Sequence, residues 1–442
     1  MSGKTNKDGT TQQIGSVDNC RDGILTGWAQ VPHMPMVPAV VDIVIDSAHA
    51  GSAKANILRV ELRDLGVRDG FAGFRFEIPS RFRDGKTHHV TVTERVSKSA
   101  LSGIGVFKLE LEKDSGVRSD LFLSSVVLEH TINAPSFSET LHARKKLAIL
   151  SAFTPHNDLL GYHHALIAAL QAAGFAVLLG QAYASMPAAN ARKPVSQADA
   201  FLVKDNLGYD FGTWFACLAA VRPHLATLDE LLLLNDSVFG PMCSPQALAD
   251  MIASCRGDLV GICDSYEHNY HLQSFFLLFR KNVLQSKCLE QFANAYSYSN
   301  TKTAVVQDGE LALTPWLQER GFHCEAVFSY ERLARRWLDR VGGYVSLLEK
   351  MPEFAGEKDD DVQQVLGLAR KLRRGEPVNP SHLFWDVLLD MDCPFVKREL
   401  LLKNPMNAPL LFRAPELIHA AGYSLGHVRE AAQRYGATRV MF

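Results

Sequence analysis

Between Asp18 and about Leu109, apolar and polar positions alternate in short runs broken by Gly, Pro or Asp. GILTGWAQV, VVDIVIDS, GFRFEIPS and HHVTVTER each have strand length, and no long helical period separates them. This pattern predicts a small antiparallel β-sandwich. From Lys145 the period changes. KKLAILSAFT reads as a buried strand, LLGYHHALIAALQAAGF as a helix ending at Gly174, and AVLLGQA as the next strand. AFLVKDN, DELLLLNDS, LVGICDS and SFFLLFRK continue the strands, with FGTWFACLAAVRPHL and SPQALADMIASC as helices between them. Strands alternating with helices in this way predict an open α/β domain. After Tyr330 the runs YERLARRWLDRVGGYVSLLEKM and FAGEKDDDVQQVLGLARKLRRG are helical.

The expected organisation is a disordered N-terminus over 1–17, a β-sandwich accessory module over 18–110 and a connector over 111–144. An α/β domain then covers 145–335, and a helical C-terminal region over 336–442 packs on it. A length of 442 residues accords with more than one core.

Composition narrows the function class. The formal net charge is −2 and the basic residues form no dominant block, which argues against nucleic acid as the main partner. The eight cysteines are scattered without a C-x-x-C pair, so they read as reduced core thiols of a cytoplasmic protein. The opening MSGKTNKDGTTQQIGS has no hydrophobic signal region, and no apolar run reaches spanning length. The expectation is a soluble protein, peripheral to a membrane at most.

Four segments carry candidate chemistry. In LLLLNDSVFGP a fully apolar strand ends in Asn235, Asp236 and Ser237, and ligands of open α/β sheets bind beyond the carboxyl ends of strands. Asp236 there suits a divalent cation bridging a diphosphate; the alternative is a cap on the following turn. In DNLGYDFGTW, Gly208 and Gly212 permit close backbone approach, and Asn206 and Asp210 precede a helix, suited either to a nucleotide or to simple capping. His271, Gln273 and Ser274 lie at the mouth of an aromatic-rich strand, where His271 suits a metal ligand, a hydrogen-bond donor to phosphate or a structural hydrogen-bonding group. In VVQDGELALTPWL, Asp308 and Glu310 are expected to open a helix, as a general base or as caps.

Taken together these segments resemble the rhamnan-synthesis protein F family of polysaccharide glycosyltransferases. The likeness runs through Asn206–Asp210 (NLGYD), Asn235–Pro241 (NDSVFGP) and His271–Ser274 (HLQS), then NPSHLFWD at Asn379–Asp386 and PFVKRELLLKNP at Pro394–Pro405, spanning roughly Lys145 to Pro405. GWA, RVELRDLGVRDGFAGFRFEIP and DGKTHHV in the front module resemble a β-sandwich module found attached to glycosyltransferases. No catalytic residue is assigned to it.

The resemblance implies a GT-A-like, Rossmann-type transferase domain, an α/β fold using a nucleotide-sugar donor. Where such enzymes carry D-x-D, this chain reads Asn235-Asp236-Ser237, with one carboxylate, so Mg²⁺ or Mn²⁺ at Asp236 is an option and basic or hydroxyl groups share the neutralisation. It further implies Asn206, Gly208, Tyr209 and Asp210 at the nucleoside, Asn235, Asp236 and Ser237 at the diphosphate, and His271, Gln273 and Ser274 towards the sugar or acceptor. Glu310 is the first candidate base and Asp308 the second. The acceptor would be a growing surface polysaccharide or lipid-linked glycan such as an O-antigen, capsule or rhamnan, made at the cytoplasmic face of the inner membrane. Two rivals stand beside this reading. One is a non-catalytic carbohydrate-binding or assembly protein with a degenerate transferase fold. The other is an epimerase, disfavoured because no G-x-G-x-x-G follows the first strand of the domain.

Overall fold

The computed structural model describes residues 13–437 apart from 22, 35–36, 68–69, 83, 110–126, 133, 156–157, 184–196, 300 and 351–357. Half of the expected connector, and residues 1–12 of the expected disordered N-terminus, therefore lie outside the described residues. The architecture is mixed α/β with a helical C-terminal region.

The front of the chain supplies β1 (Gly15–Arg21), β2 (Ile24–Ala29), β3 (Ala39–Ile45), β4 (Ala48–Ala55), β5 (Ile57–Leu58), β6 (Phe71–Glu77), β7 (Thr87–Glu94), β8 (Ser102–Gly103) and β9 (Val106–Lys108). They form one sheet in the order β5-β6-β2-β1-β8 and a second in the order β4-β3-β7-β9. Along β3 the pattern of alternate burial puts Ala39, Val41, Ile43 and Ile45 on the inner side, where they join Leu25, Phe74 and Phe76 of the other sheet in one apolar core. Strand β1 begins ahead of Asp18 because Ser16 and Val17 pair with Trp28 and Gly27 of β2.

A larger sheet follows. Its strands are β10 (Val127–His130), β11 (Lys146–Phe153), β12 (Ala176–Tyr183), β13 (Ala200–Asp205), β14 (Glu230–Asn235), β16 (Leu259–Ser265), β17 (His271–Leu272), β18 (Phe276–Arg280) and β19 (Cys324–Phe328); a short β15 (Val238–Phe239) lies outside it. The order is β10-β13-β12-β11-β14-β18-β16-β17, with β19 on β16. Strands β13, β12, β11 and β14 are parallel; β18 runs against both β14 and β16. Burial of a central strand on both faces explains the unbroken run of leucines at 231–234, all fully buried. Leu232 and Leu234 enter one core with the helix Gly161–Ala172 and the C-terminal region, while Leu231 and Leu233 enter another with the helix Tyr209–Ala220. The C-terminal region thus shares one face of the sheet, with Trp337 and Trp385 fully buried in that core. Its short strand β20 (Val396–Lys397) pairs with β15.

The front sheets bear directly on the loop between β16 and β18. Tyr270 donates its backbone N–H to the Ser52 carbonyl at 2.8 Å, and Gln307 donates to Glu77 at 2.8 Å. Gly51, at φ 152°, lies so close that a Cβ there would come within 2.9 Å of the Asn269 amide nitrogen. Lys54 reaches across to Glu331 at 2.9 Å, with its ammonium over the rings of Tyr266 and Tyr330.

Candidate functional site

Strand register assembles the centre of the site. Ser151 at the end of β11 stands opposite Asn235 at the end of β14. Ser151 donates its hydroxyl to one carboxylate oxygen of Asp210 at 2.9 Å, and Asn235 donates its amide to the other at 2.9 Å. Asp210 reaches them because it lies in the first turn of the helix Tyr209–Ala220, which Trp214 ties to β14 through a 3.0 Å bond to the Leu234 carbonyl. Gly208, at φ 77°, permits that entry: a Cβ there would meet Gly212 Cα at 2.9 Å. Burial, then the negative charge of Asp236, pushes the Asp210 carboxyl up to about 6, against the two hydrogen bonds that favour its ionised form.

Asp236 is buried and paired. Its Oδ2 accepts from Arg398 at 3.1 Å and from His163 at 3.3 Å, with the Tyr162 hydroxyl at 3.5 Å. Arg398 also donates to Tyr162. Burial works to raise the Asp236 pKa, but the Arg398 guanidinium and the His163 bond outweigh it and hold the carboxyl below its ordinary value. His163 accepts the Leu160 N–H at Nδ1, so Nε2 carries the proton that faces Asp236. Burial keeps that imidazole neutral. Asp236 is therefore more than a turn cap.

The third group hangs on the same edge. Glu310 accepts the Ser274 backbone N–H at 3.2 Å and lies 3.7 Å from His271 Nε2. His271 donates Nδ1–H to the Asn269 carbonyl at 2.9 Å, and burial lowers its pKa. Gln273 donates to Asn379 at 3.2 Å, while its buried Oε1 has no partner among the described residues. Asn379 and its neighbour His382 come from the C-terminal region; burial, then the nearby Lys397 charge, pushes His382 down to about 4.

One expectation needs correction. Asp308 and Glu310 do not open a helix: the chain is already helical from Lys302, and both lie in a π-helical turn over Val306–Glu310 that runs into the helix Leu311–Glu319. Gly309 packs flat on the Phe211 ring there, where a Cβ would meet ring atoms at 2.7 Å. Pro315 removes the N–H that the Leu311 carbonyl would have accepted, and the Asn269 amide supplies a donor instead at 3.3 Å. The Asp308 charge acts on Tyr296 and on Arg81, which lies in the short turn Ser80–Phe82 between β6 and β7. Asn206 is half-buried and held by its backbone N–H to the Tyr183 carbonyl at 3.1 Å, beside Tyr209, which is 37% exposed.

The donor set does not fit a metal ion at Asp236. A guanidinium already occupies its Oδ2, and among the described residues no group of three His, Cys, Asp or Glu side chains is placed to hold one. Sequence reasoning missed Ser151, Tyr162, His163, Lys397 and Arg398. The available signal was the adjacent Lys-Arg pair directly after the apolar PFV of the tail.

Asp210 carries a pH test. Its pKa is raised on folding, so the folded chain binds the proton more tightly than the unfolded one. The associated stability is full below the ordinary 3.8 and is lost as pH rises through about 6. Asp210→Asn keeps both hydrogen bonds, with its amide donating to the Ser151 hydroxyl, and removes the buried charge. Denaturant unfolding is expected to show the variant more stable than the parent at pH 8, by up to about 3 kcal/mol, and the gain to shrink at pH 5. An equal difference at both values would count against it.

Residues 183–341 match the family model described as rhamnan synthesis protein F, so the resemblance carried by NLGYD, NDSVFGP and HLQS holds. The match includes every candidate from Asn206 to Glu310; Lys397 and Arg398 lie beyond it. Virulence protein VirA of Vibrio anguillarum is 26% identical over 225 residues, covering 49% of this chain and 67% of that protein. The uncharacterized protein y4gN of Sinorhizobium fredii is 27% identical over 136 residues, covering 30% of this chain and 36% of that protein. Among the described residues no helix is long and apolar enough to cross a membrane.

Proposed function

We propose that this chain is a glycosyltransferase that moves a sugar, rhamnose being the one the family description points to, from a nucleotide-sugar donor onto a growing bacterial surface polysaccharide. The observation that carries the reading is convergence. Three motifs of the family-matched segment meet where β11, β14 and β16 end and β18 begins, the edge at which α/β sheets bind ligands. We read the large sheet with its helices as the GT-A-like domain and the paired front sheets as the accessory β-sandwich.

Transfer needs a stabilised leaving group and an acceptor hydroxyl that is aligned and deprotonated. Glu310 is the base: the Ser274 amide and His271 fix its carboxylate beside the HLQS segment, which faces the sugar and acceptor. Tyr209 and Asn206 border the nucleoside side, and Asn235 and Ser237 the diphosphate. Asp236 acts through Arg398, holding the guanidinium in place. The acceptor is a polysaccharide or lipid-linked glycan, met by a cytoplasmic enzyme peripheral to the inner membrane.

One second reading has a specific observation behind it. Oδ2 of Asp236 is taken up by three protein partners, as in a carbohydrate-binding or assembly protein that kept the fold and lost the chemistry. Thermal-shift measurement with UDP-, GDP- and dTDP-sugars separates the two. A donor at a hundredfold excess over its Kd is expected to stabilise the chain by about 2.7 kcal/mol, and slow release of free sugar is expected with it. Stabilisation by glycans alone, with every nucleotide sugar silent, would leave the binding-protein reading standing.

A further inference from the structure

Lys397 is placed by pairing rather than by chance of rotamer. Val396 and Lys397 form β20 against Val238 and Phe239, and the Arg398 N–H closes the ribbon on the Ser237 carbonyl at 2.8 Å. This sets the lysine amine beside the NDS segment. It donates to the Ser237 hydroxyl at 3.1 Å, which itself donates to Asn235 at 2.6 Å, and it lies 4.4 Å from the centre of the Phe275 ring. The carboxylates of Glu310 and Asp210 act on it electrostatically from two other elements, as do Glu399, Cys263 and His382. The amine therefore stands among all three motifs, though no motif of the matched segment contains it.

Its company is unusual for a largely buried cation. Arg398, the next residue, is compensated by Asp236 at 3.1 Å. Among the described residues, the only hydrogen bond of the Lys397 amine is to a neutral hydroxyl. An ammonium has three N–H donors; among the described residues one meets the Ser237 hydroxyl and no carboxylate hydrogen-bonds to the others, so an arriving anion can take them.

We propose that Lys397 contacts the diphosphate of the nucleotide-sugar donor and stabilises it as the leaving group, which rests on the transferase reading above. In the transfer step the bond between the anomeric carbon and the diphosphate oxygen breaks, and its electron pair leaves with the nucleoside diphosphate. The acceptor oxygen bonds to that carbon, and its proton passes to the base. Negative charge grows on the departing oxygen, and a fixed ammonium at that place favours the transition state over the bound donor. The C-terminal region thus contributes a catalytic residue to the site from beyond the family-matched residues 183–341.

Calorimetric titration of the full chain with UDP, GDP, dTDP and their nucleosides tests this in the parent and in Lys397→Met, Lys397→Gln and Lys397→Arg. For whichever nucleoside diphosphate the parent binds, Lys397→Met and Lys397→Gln are expected to weaken affinity by about 10- to 100-fold, the range for losing one charge-assisted hydrogen bond. Binding of the matching nucleoside should be unchanged, and Lys397→Arg should retain most of the diphosphate affinity. Melting temperatures of the neutral variants should stay near the parent's, because the amine's only hydrogen bond among the described residues is to a neutral hydroxyl. Unchanged diphosphate affinity in the neutral variants, or an equal loss for nucleoside and diphosphate, would overturn the assignment alone. A parent that binds none of the three diphosphates would overturn the transferase reading with it.

Discussion

Replacing Arg398 by methionine is expected to destabilise the chain by about 3–5 kcal/mol at neutral pH, the usual consequence of stranding one partner of a buried ion pair. Asp236 is 4% exposed, and with the guanidinium gone only neutral His163 and Tyr162 remain as hydrogen-bond partners of its side chain among the described residues. Asp236→Asn strands Arg398 in turn. The pair Arg398→Met with Asp236→Asn is expected to recover much of the loss, since removing both charges leaves neither uncompensated. Denaturant unfolding of the parent, both single variants and the double variant measures the coupling. Additive losses across the cycle would contradict the pairing. Because Asp236 is integral to this buried network, inactivity of Asp236→Asn is interpretable only beside its stability.

Glu310→Gln is expected to act on the other axis. Glutamine still accepts the Ser274 N–H through its amide oxygen, so the bond that joins the π-turn to the HLQS segment survives. What disappears is the negative charge and the capacity to take a proton. Turnover is expected to fall by about 10²- to 10⁴-fold, the range for a general base, while donor affinity and melting temperature stay near the parent's. A drop in stability with turnover preserved would instead make Glu310 a structural clasp. Asp308→Asn is the internal control. Its charge acts on Tyr296 and Arg81, and near-parental turnover is expected.

The two variants separate what was legible along the chain from what was not. Asp236 could be found in the sequence because four leucines force a central strand, and polar residues at its end must emerge at the ligand-binding edge. What held Asp236 could not. His163 lies on a helix whose apolar period gives a histidine no distinction, and Arg398 lies far along the chain in a region whose helices read as ordinary packing. The ribbon between β15 and β20 brings Arg398 and Lys397 to the NDS turn, and two-residue strands are too short for any periodic signal.

Glu310 shows the reverse case. Its place near the site was legible from its neighbours, but its local setting was misread. Asp308 and Glu310 look like helix-opening acids, yet the helix begins before them, and the interruption that singles them out is a π-turn beside Pro315. Hydrogen-bond slippage of that kind depends on what meets the freed carbonyl, here Asn269 from another loop, and on the Phe211 ring against Gly309.

By itself, the sequence determined the alternation of strand and helix, the central strands, and the three motifs at the sheet edge. Those follow from local hydrophobic period and from the rule that buried backbone must pair. Only the tertiary structure decided that Asp236 is neutralised by Arg398, that Lys397 hydrogen-bonds only a neutral hydroxyl among the described residues, and that the front sheets brace the loop carrying His271 and Gln273. Charge compensation depends on distance in space, and Asp236 and Arg398 lie 162 residues apart in the chain.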